Sequence, residues 1–483
     1  MLESAAVRSR DARSRRVRVG LISLGCAKNL VDAEVMLGHL VERGAEITAS
    51  LDEAEVVVVN TCGFIEDAQR ESVEAILEVA SRKGKGGLQR LVVAGCMAQG
   101  YARELAAEVP EIDCFIGLDE LERVPEAVLG RLGRSHFPDQ HGAIRLYDHR
   151  EPRLLTGGTV FAYLKVAEGC DNPCTFCQIP RMRGGFRSRD LASLVEEAVR
   201  IEAAGVTELV LVAQDTTRYG EDLGLGRTGL QRLLEALLAA TKFPWIRFLY
   251  AYPATLDHGL FTLMRAEPRL APYLDLPLQH VSRRVLKAMK RGGSVREYRD
   301  LIAKARSAVP DLAVRSAFIV GFPGEEDEDV DELARFLEEV KLDHVGVFTY
   351  SFQAANPGAL LGDPIPRRVK ESRRRRLMRL QQGISRERYR TLRGSERVAL
   401  VTGASPESEF LLEGRLPQQA PEVDGRVLFT AGTARPGDLV RVRIHKTYAF
   451  EVLAEIVDVI HRAPVAPPRL LPSLPLGRRA ALG

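Results

Sequence analysis

Nowhere in its 483 residues does the chain carry the run of about 20 apolar residues that a helix needs to cross a bilayer. Val56–Val59 is a run of strand length only. The opening, MLESAAVRSRDARSRRVRVG, has arginines but lacks the apolar core of a signal peptide. These two absences predict a soluble, cytoplasmic protein with no membrane partner. Excess charge is missing too: 68 Lys and Arg against 65 Asp and Glu leave a net charge of +3, which says little about partners. Seven cysteines is an odd number for a chain without an export signal, so a disulfide framework is not expected. What remains open to them is to be buried hydrophobes, nucleophiles or metal ligands. For any single cysteine a buried small residue is the common role, so spacing must argue for more. No internal repeat is present beyond a βα pattern.

The length predicts two to four domains. From about residue 18 to 117, the runs VGLISLG, AEVVVVN, RLVVAG and IDCFIG alternate with amphipathic stretches such as NLVDAEVMLGHLVERG. Such alternation predicts a parallel sheet covered by helices. A second series supplies six strand candidates: FAYLKVAEG, ELVLVAQD, IRFLYAYP, YLDLPLQH, AVRSAFIVGFPG and HVGVFTYSF. Six units rather than eight predict a partial (β/α)6 barrel. An arginine-rich helix follows, with Leu377, Leu380 and Ile384 as its apolar stripe. Short strands separated by Gly and Pro then predict a small antiparallel β-barrel. The expected fold is an α/β multidomain chain: a basic flexible tail over 1–16, a parallel α/β domain over 17–150, a partial barrel over 155–385, a small β-barrel over 388–462 and a Pro-rich disordered tail over 463–483.

Cys170, Cys174 and Cys177 lie in KVAEGCDNPCTFCQIP, just past the first strand of the second series. Loops beyond strand C-termini hold the active sites of such folds. Zinc is the plain reading of Cys-x-x-Cys, but a closed zinc site needs a fourth ligand and no His or Cys lies within the next eighty residues. An iron–sulfur cluster held by three thiolates fits better, and leaves one iron open to a chelating cofactor. Cys-x3-Cys-x2-Cys in this place resembles the radical S-adenosylmethionine superfamily. The resemblance implies that the cofactor's amino and carboxylate groups chelate the open iron, and that reductive cleavage yields a 5′-deoxyadenosyl radical.

Cys26, Cys62 and Cys96 each follow an apolar run and precede a helical pattern, separated by 36 and 34 residues. If their strands are parallel, all three thiols emerge at one edge of the sheet and can hold a second cluster. Cys114 breaks the phase, lying inside IDCFIG, and is read as a buried small residue.

Two such sites in one chain resemble the methylthiotransferase family over about residues 17 to 460. Within it, SLGCAKNLVDAE around Cys26 is similar to the SLGCPKNLVDSE of the branch that modifies a ribosomal protein, whereas the tRNA branch has GCQMN there. NTCGFIEDAQRES, AQDTTRYGEDL and YLDLPLQHVSRRVLKAMKR point the same way. Ala27 and Ala33 depart from the usual Pro and Ser. The terminal barrel resembles the TRAM domain, a binder of RNA in several enzymes. Seven basic residues against ten acidic ones between Gly394 and His461 give −3, a balance better suited to a basic ribosomal protein than to a phosphate backbone.

The resemblance implies methylthiolation of the β-carbon of an aspartate in small-subunit ribosomal protein twelve, with tRNA adenosine methylthiotransferase as the alternative. It implies two 4Fe-4S clusters, the radical-generating one on Cys170, Cys174 and Cys177 and the auxiliary one on Cys26, Cys62 and Cys96. It implies S-adenosyl-L-methionine held by Gln214, Asp215, Gln279, His280, Arg315 and Gly321. The implied partners are the ribosomal protein, within the ribosome or an assembly intermediate, an electron donor and a sulfur donor. Arg315 has a second reading as a structural ion-pair residue, and His280 one as a plain hydrogen-bonding residue.

Overall fold

Val56–Val59 are β-branched and buried on both faces, the pattern of a central parallel strand. They form most of β3 (Val56–Thr61) in a parallel sheet with β1 (Arg18–Ser23), β2 (Glu46–Ile47), β4 (Arg90–Gly95) and β5 (Cys114–Ile116), in the order β2-β1-β3-β4-β5. Helices α1 (Ala27–Glu42), α2 (Glu66–Arg82), α3 (Cys96–Glu108) and α4 (Val124–Val128) connect and follow these strands. The structure is a computed structural model that describes residues 16–139 and 144–464, without the side chain of Glu409. Apart from Arg16, Ala463 and Pro464, the tails expected at 1–16 and 463–483 lie outside the described residues.

Six parallel strands make the second unit: β6 (Phe161–Lys165), β9 (Glu208–Val212) and β10 (Trp245–Phe248) in one sheet, β11 (Tyr273–Asp275), β12 (Ala313–Val320) and β13 (His344–Thr349) in the other. A two-stranded ribbon of β7 (Ala167–Glu168) and β8 (Arg187–Ser188) brackets the first loop, which contains α5 (Ile179–Arg183). The outer helices are α6 (Leu191–Ala203), α7 (Gly229–Ala240), α8 (Gly259–Ala266), α9 (Arg283–Ala288), α10 (Val295–Ala308) and α11 (Asp327–Val340), followed by α12 (Arg367–Arg390). In α12, Leu377 and Ile384 are buried and Leu380 packs beside them, as the stripe predicted. Several of its charges are paired, Arg373 with Glu325 and Asp327, Arg376 with Asp331, and Arg388 with Asp343.

A closed barrel ends the chain: β14 (Glu396–Ser405), β15 (Ser408–Arg415), β16 (Arg426–Ala431), β17 (Leu439–Thr447) and β18 (Glu451–His461), in the order β14-β15-β16-β18-β17. The expected antiparallel pairing holds at every junction except β16–β18, which is parallel. The β17–β18 reversal returns β18 in the direction of β16, so their pairing can only be parallel. This barrel sits against the N-terminal ends of the six parallel strands. Thr159 and Thr207, just before β6 and β9, bond the carbonyls of Pro436 and Gly437. Glu208 pairs with Arg415, Tyr273 donates to Asp424, and His344 bonds the Gln418 carbonyl.

One element departs from expectation. The stretch read as amphipathic is α1, and 13 of its 16 residues are buried, including Lys28, Asn29, Asp32 and Glu34. It shares a core with Tyr163, Val210, Val212, Leu249, Tyr273 and Ala313 of the second unit. Its polar side faces partners in that unit rather than water. Among the described residues no helix is long and apolar enough to cross a membrane.

Candidate active site: two sets of three cysteines

Because β1, β3 and β4 are parallel neighbours, the residues that follow them leave the sheet together. Cys26 is the N-cap of α1, Cys62 follows β3 directly, and Cys96 opens α3. Gly25 and Gly95 make the turns possible, both with φ of +90. A Cβ on Gly25 would stand 2.8 Å from the Cys62 Cβ, so only glycine admits that packing. Each of these thiols lies in the field of the others. Burial pushes Cys62 up to about 12 and Cys96 up to about 11. Burial raises Cys26 as well, but the charges of Lys28 and Arg183 outweigh it and leave its pKa lowered. Cys114 stays apart, fully buried within β5.

Cys170, Cys174 and Cys177 form the loop beyond β7 and are likewise coupled by their charges. Gly169 starts it at φ +78, where a Cβ would meet the Gly185 carbonyl at 2.1 Å. The loop aims donors at sulfur. Asn172 reaches Cys170 Sγ through its backbone N–H (3.4 Å) and its amide (3.3 Å). The Ile179 N–H reaches Cys177 Sγ at 3.4 Å and Arg291 Nη1 reaches Cys174 Sγ at 3.5 Å. Burial pushes Cys177 up to about 12.

Among the described residues no set of three or more His, Cys, Asp or Glu side chains is gathered to hold a single metal ion. The two cysteine sets instead suit a cluster that spreads its thiolates over several irons. Three observations support the fit. There are three thiols at each site, N–H donors on sulfur at Cys96 and throughout the Cys170 loop, and cationic side chains beside both sets. Donors and cations of this kind stabilise thiolate over thiol.

A buried ionic network joins the two sites. Arg183, on α5, donates to Cys96 Sγ at 3.2 Å, to Asn29 Oδ1 at 2.7 Å, to Asp32 Oδ2 at 2.9 Å and to Glu168 Oε1 at 2.9 Å. Lys165 bridges the same two carboxylates. Burial favours the neutral form of Glu168, yet Arg183 and Lys165 overcome it and depress its pKa. Gln178 ties the cysteine loop to the carbonyls of Gly63 and Phe64, immediately after Cys62.

The remaining predicted residues divide. Gln214 donates to Glu168, and its Oε1 is buried with no hydrogen-bond partner among the described residues. Asp215 accepts from Asn172 of the cysteine loop and from Thr217, and burial raises its pKa. Gln279 holds a left-handed φ of +70. His280 is fully buried, accepting from the Ser282 N–H, with its Nε2 3.5 Å from Glu325. Gly321 has φ +74, and a Cβ there would collide with the Lys370 side chain at 2.3 Å, so the glycine serves a helix contact. Arg315 is not brought to the cysteine loop. It lies near the start of β12, and its charge is taken up by Asp275 at 3.0 Å and Asp424 at 3.5 Å. Its second reading, as an ion-pair residue, describes its place. Sequence reasoning missed Lys28, Asn29, Asp32, Lys165, Glu168, Arg183 and Arg291. Except for Arg291, which is 117 positions from the Cys174 it contacts, their only signal was adjacency to the cysteines in sequence.

Residues 18–117 match the family model described as uncharacterized protein family UPF0004, residues 164–337 that of the radical SAM superfamily, and residues 394–457 that of the TRAM domain. The chain is 44% identical over 451 residues to the ribosomal protein uS12 methylthiotransferase RimO of Pelobacter propionicus, covering 92% of this chain and 99% of that one. It is 45% identical over 445 residues to the RimO of Geotalea uraniireducens, covering 92% and 99%. Against the RimO of an Anaeromyxobacter species it is 45% identical over 467 residues, covering 96% and 98%. Among solved structures it is similar in fold to the radical S-adenosylmethionine methyltransferase TsrM of Kitasatospora setae, with a TM-score of 0.52 at 15% identity, covering 71% of this chain and 77% of that one.

Proposed function

The chain belongs to the family of ribosomal protein uS12 methylthiotransferases, and from that premise we propose that it installs a methylthio group on the β-carbon of an aspartate in that protein. It is a radical S-adenosylmethionine enzyme that works with 4Fe-4S clusters. When bound, these cofactors supply the hydrogen-abstracting radical, the sulfur and the methyl group. In this reading residues 17–150 carry the auxiliary site, 155–385 the radical chemistry and 388–462 the docking barrel.

The observation that carries the reading is the buried Arg183, which reaches Cys96 from the helix that follows the Cys170 loop. It ties the helix after the Cys170 loop to the Cys96 site. Cys170, Cys174 and Cys177 would hold one cluster, and Asn172, Ile179 and Arg291 would stabilise their sulfurs. Cys26, Cys62 and Cys96 would hold the other, with Lys28 and Arg183 balancing its negative charge. Gln214 offers a buried acceptor, without a partner among the described residues, on the adjoining strand end, a seat for the ammonium of the cofactor's methionine. Asp215 would act through Asn172, fixing the cysteine loop. Gln279 and His280 would shape the next strand end.

The small barrel suits a protein substrate. Of the seven basic residues between Gly394 and His461, Arg415, Arg426, Arg441 and Arg443 are paired with carboxylates, which leaves little free positive surface for a phosphate backbone. Such a substrate places the enzyme in the cytoplasm, on the ribosome or an assembly intermediate, with an electron donor and a sulfur donor as further partners. The test is the mass of the ribosomal protein after incubation with the anaerobically reconstituted, reduced enzyme. A gain of about 46 mass units is expected from the family chemistry. An unchanged mass, with sulfur-modified adenosine appearing in added tRNA, overturns the reading in favour of the tRNA branch.

A further inference from the structure

Seven lysines and arginines are buried among the described residues. Six of them, Lys165, Arg183, Arg189, Arg247, Lys370 and Arg415, pair with carboxylates. Lys28 is the exception. It is 6% exposed, and its ammonium lies 3.4 Å above the centroid of the Tyr250 ring, with no carboxylate within ion-pair distance among the described residues. A ring face attracts a cation but does not replace the hydration that burial removes. The nearby Cys26 sulfur shares part of that charge, and what it leaves uncompensated calls for a further anion that arrives later.

The placement says where that anion would come. Lys28 is two residues from Cys26. Tyr250 follows β10 and holds a φ of +62, a left-handed conformation rare for a bulky side chain, so its ring is positioned at a conformational cost. The Tyr250 carbonyl accepts from the Thr216 N–H at 3.1 Å, and the neighbouring Asp215 binds Asn172 of the Cys170 loop. Lys28 is therefore linked from the Cys26 set, through Tyr250, Thr216 and Asp215, to the Cys170 loop.

Resting on the function proposed above, we infer that Lys28 binds the side-chain carboxylate of the substrate aspartate. That carboxylate is one bond from the β-carbon. Gripping it fixes the carbon between the sulfur source and the radical source and limits which hydrogen is presented. Lys28 is then the residue that selects aspartate over an uncharged side chain.

The experiment is equilibrium binding of the ribosomal protein to the holoenzyme, comparing the natural aspartate form with a form carrying asparagine at that position. The wild-type enzyme is expected to bind the aspartate form about tenfold tighter or more, as one charge-assisted contact implies. Lys28→Met should reduce that ratio to about one, and Lys28→Arg should keep most of it. A wild-type enzyme that does not discriminate overturns the inference, and this arm needs no variant. So does a Lys28→Met enzyme that keeps the wild-type ratio, or one altered only in its affinity for S-adenosylmethionine or sulfide. Wild-type enzyme that adds no mass to the aspartate form would instead refute the proposed function, a separate result.

Discussion

Cys96 follows β4 and Cys114 lies in β5, and burial raises both, yet only Cys96 lies in the field of another thiol and accepts a hydrogen bond from an arginine. Cys96→Ala should roughly halve the iron of the reconstituted enzyme, from about eight atoms per chain to about four. Cys114→Ala should leave iron unchanged and lower stability by about 1 kcal/mol, the usual cost of a small buried change. Iron analysis beside thermal unfolding reads both, and equal iron loss in the two variants would refute the assignment. The six grouped cysteines were legible because spacing and phase are properties of the chain. Arg183 was not. In RMRGG it reads like any surface arginine, and only the fold shows that it is 1% exposed and bonded to Cys96. Lys28 was hidden for the same reason, since a sequence does not say which charges lose their water.

At the scale of the element, the periodicity of α12 was readable and so was the role of its stripe. Leu377 is fully buried while Arg379, two positions on, is exposed. Leu377→Ala should cost about 2–5 kcal/mol as a core truncation, and Arg379→Ala should stay within about 0.5 kcal/mol. Urea unfolding distinguishes them, and similar midpoints would mean that the helix is not anchored by its apolar side. Helix α1 shows the opposite case. Its apolar positions gave a correct helix but no warning that its polar positions are also enclosed. Asp32 and Glu34 are compatible with burial through residues more than a hundred positions away, Lys165 and Arg183 for the first and Arg153 for the second. Local pattern carries no trace of such partners.

For the molecule as a whole, the three-part order was legible from the switch between βα alternation and short strands. The seating of the last barrel under the six parallel strands was not. Glu208 is central to it, fully buried between Arg247 and Arg415. Burial acts to raise its pKa, but the two guanidinium groups prevail and lower it below the 4.5 of a free glutamate. A depressed carboxylate contributes stability in full above its unfolded pKa, and that contribution is lost as pH falls through the folded value. Acid should therefore loosen the joint progressively below about pH 4.5, while Glu208→Gln should lower stability at neutral pH and flatten this part of the acid profile. Melting temperatures of both proteins across pH 3–7 check it, and parallel profiles would remove Glu208 from that role.

The enclosure of α1 has a consequence for biosynthesis. A ribosome delivers Leu30 and Met36 long before Leu249, Tyr273 and Ala313, which complete their surroundings. The first hundred residues can draw their sheet together early but must wait, partly uncovered, until some two hundred more have emerged. This chain therefore matures late and as one piece. Pausing during its translation would prolong the interval in which chaperones must shield it.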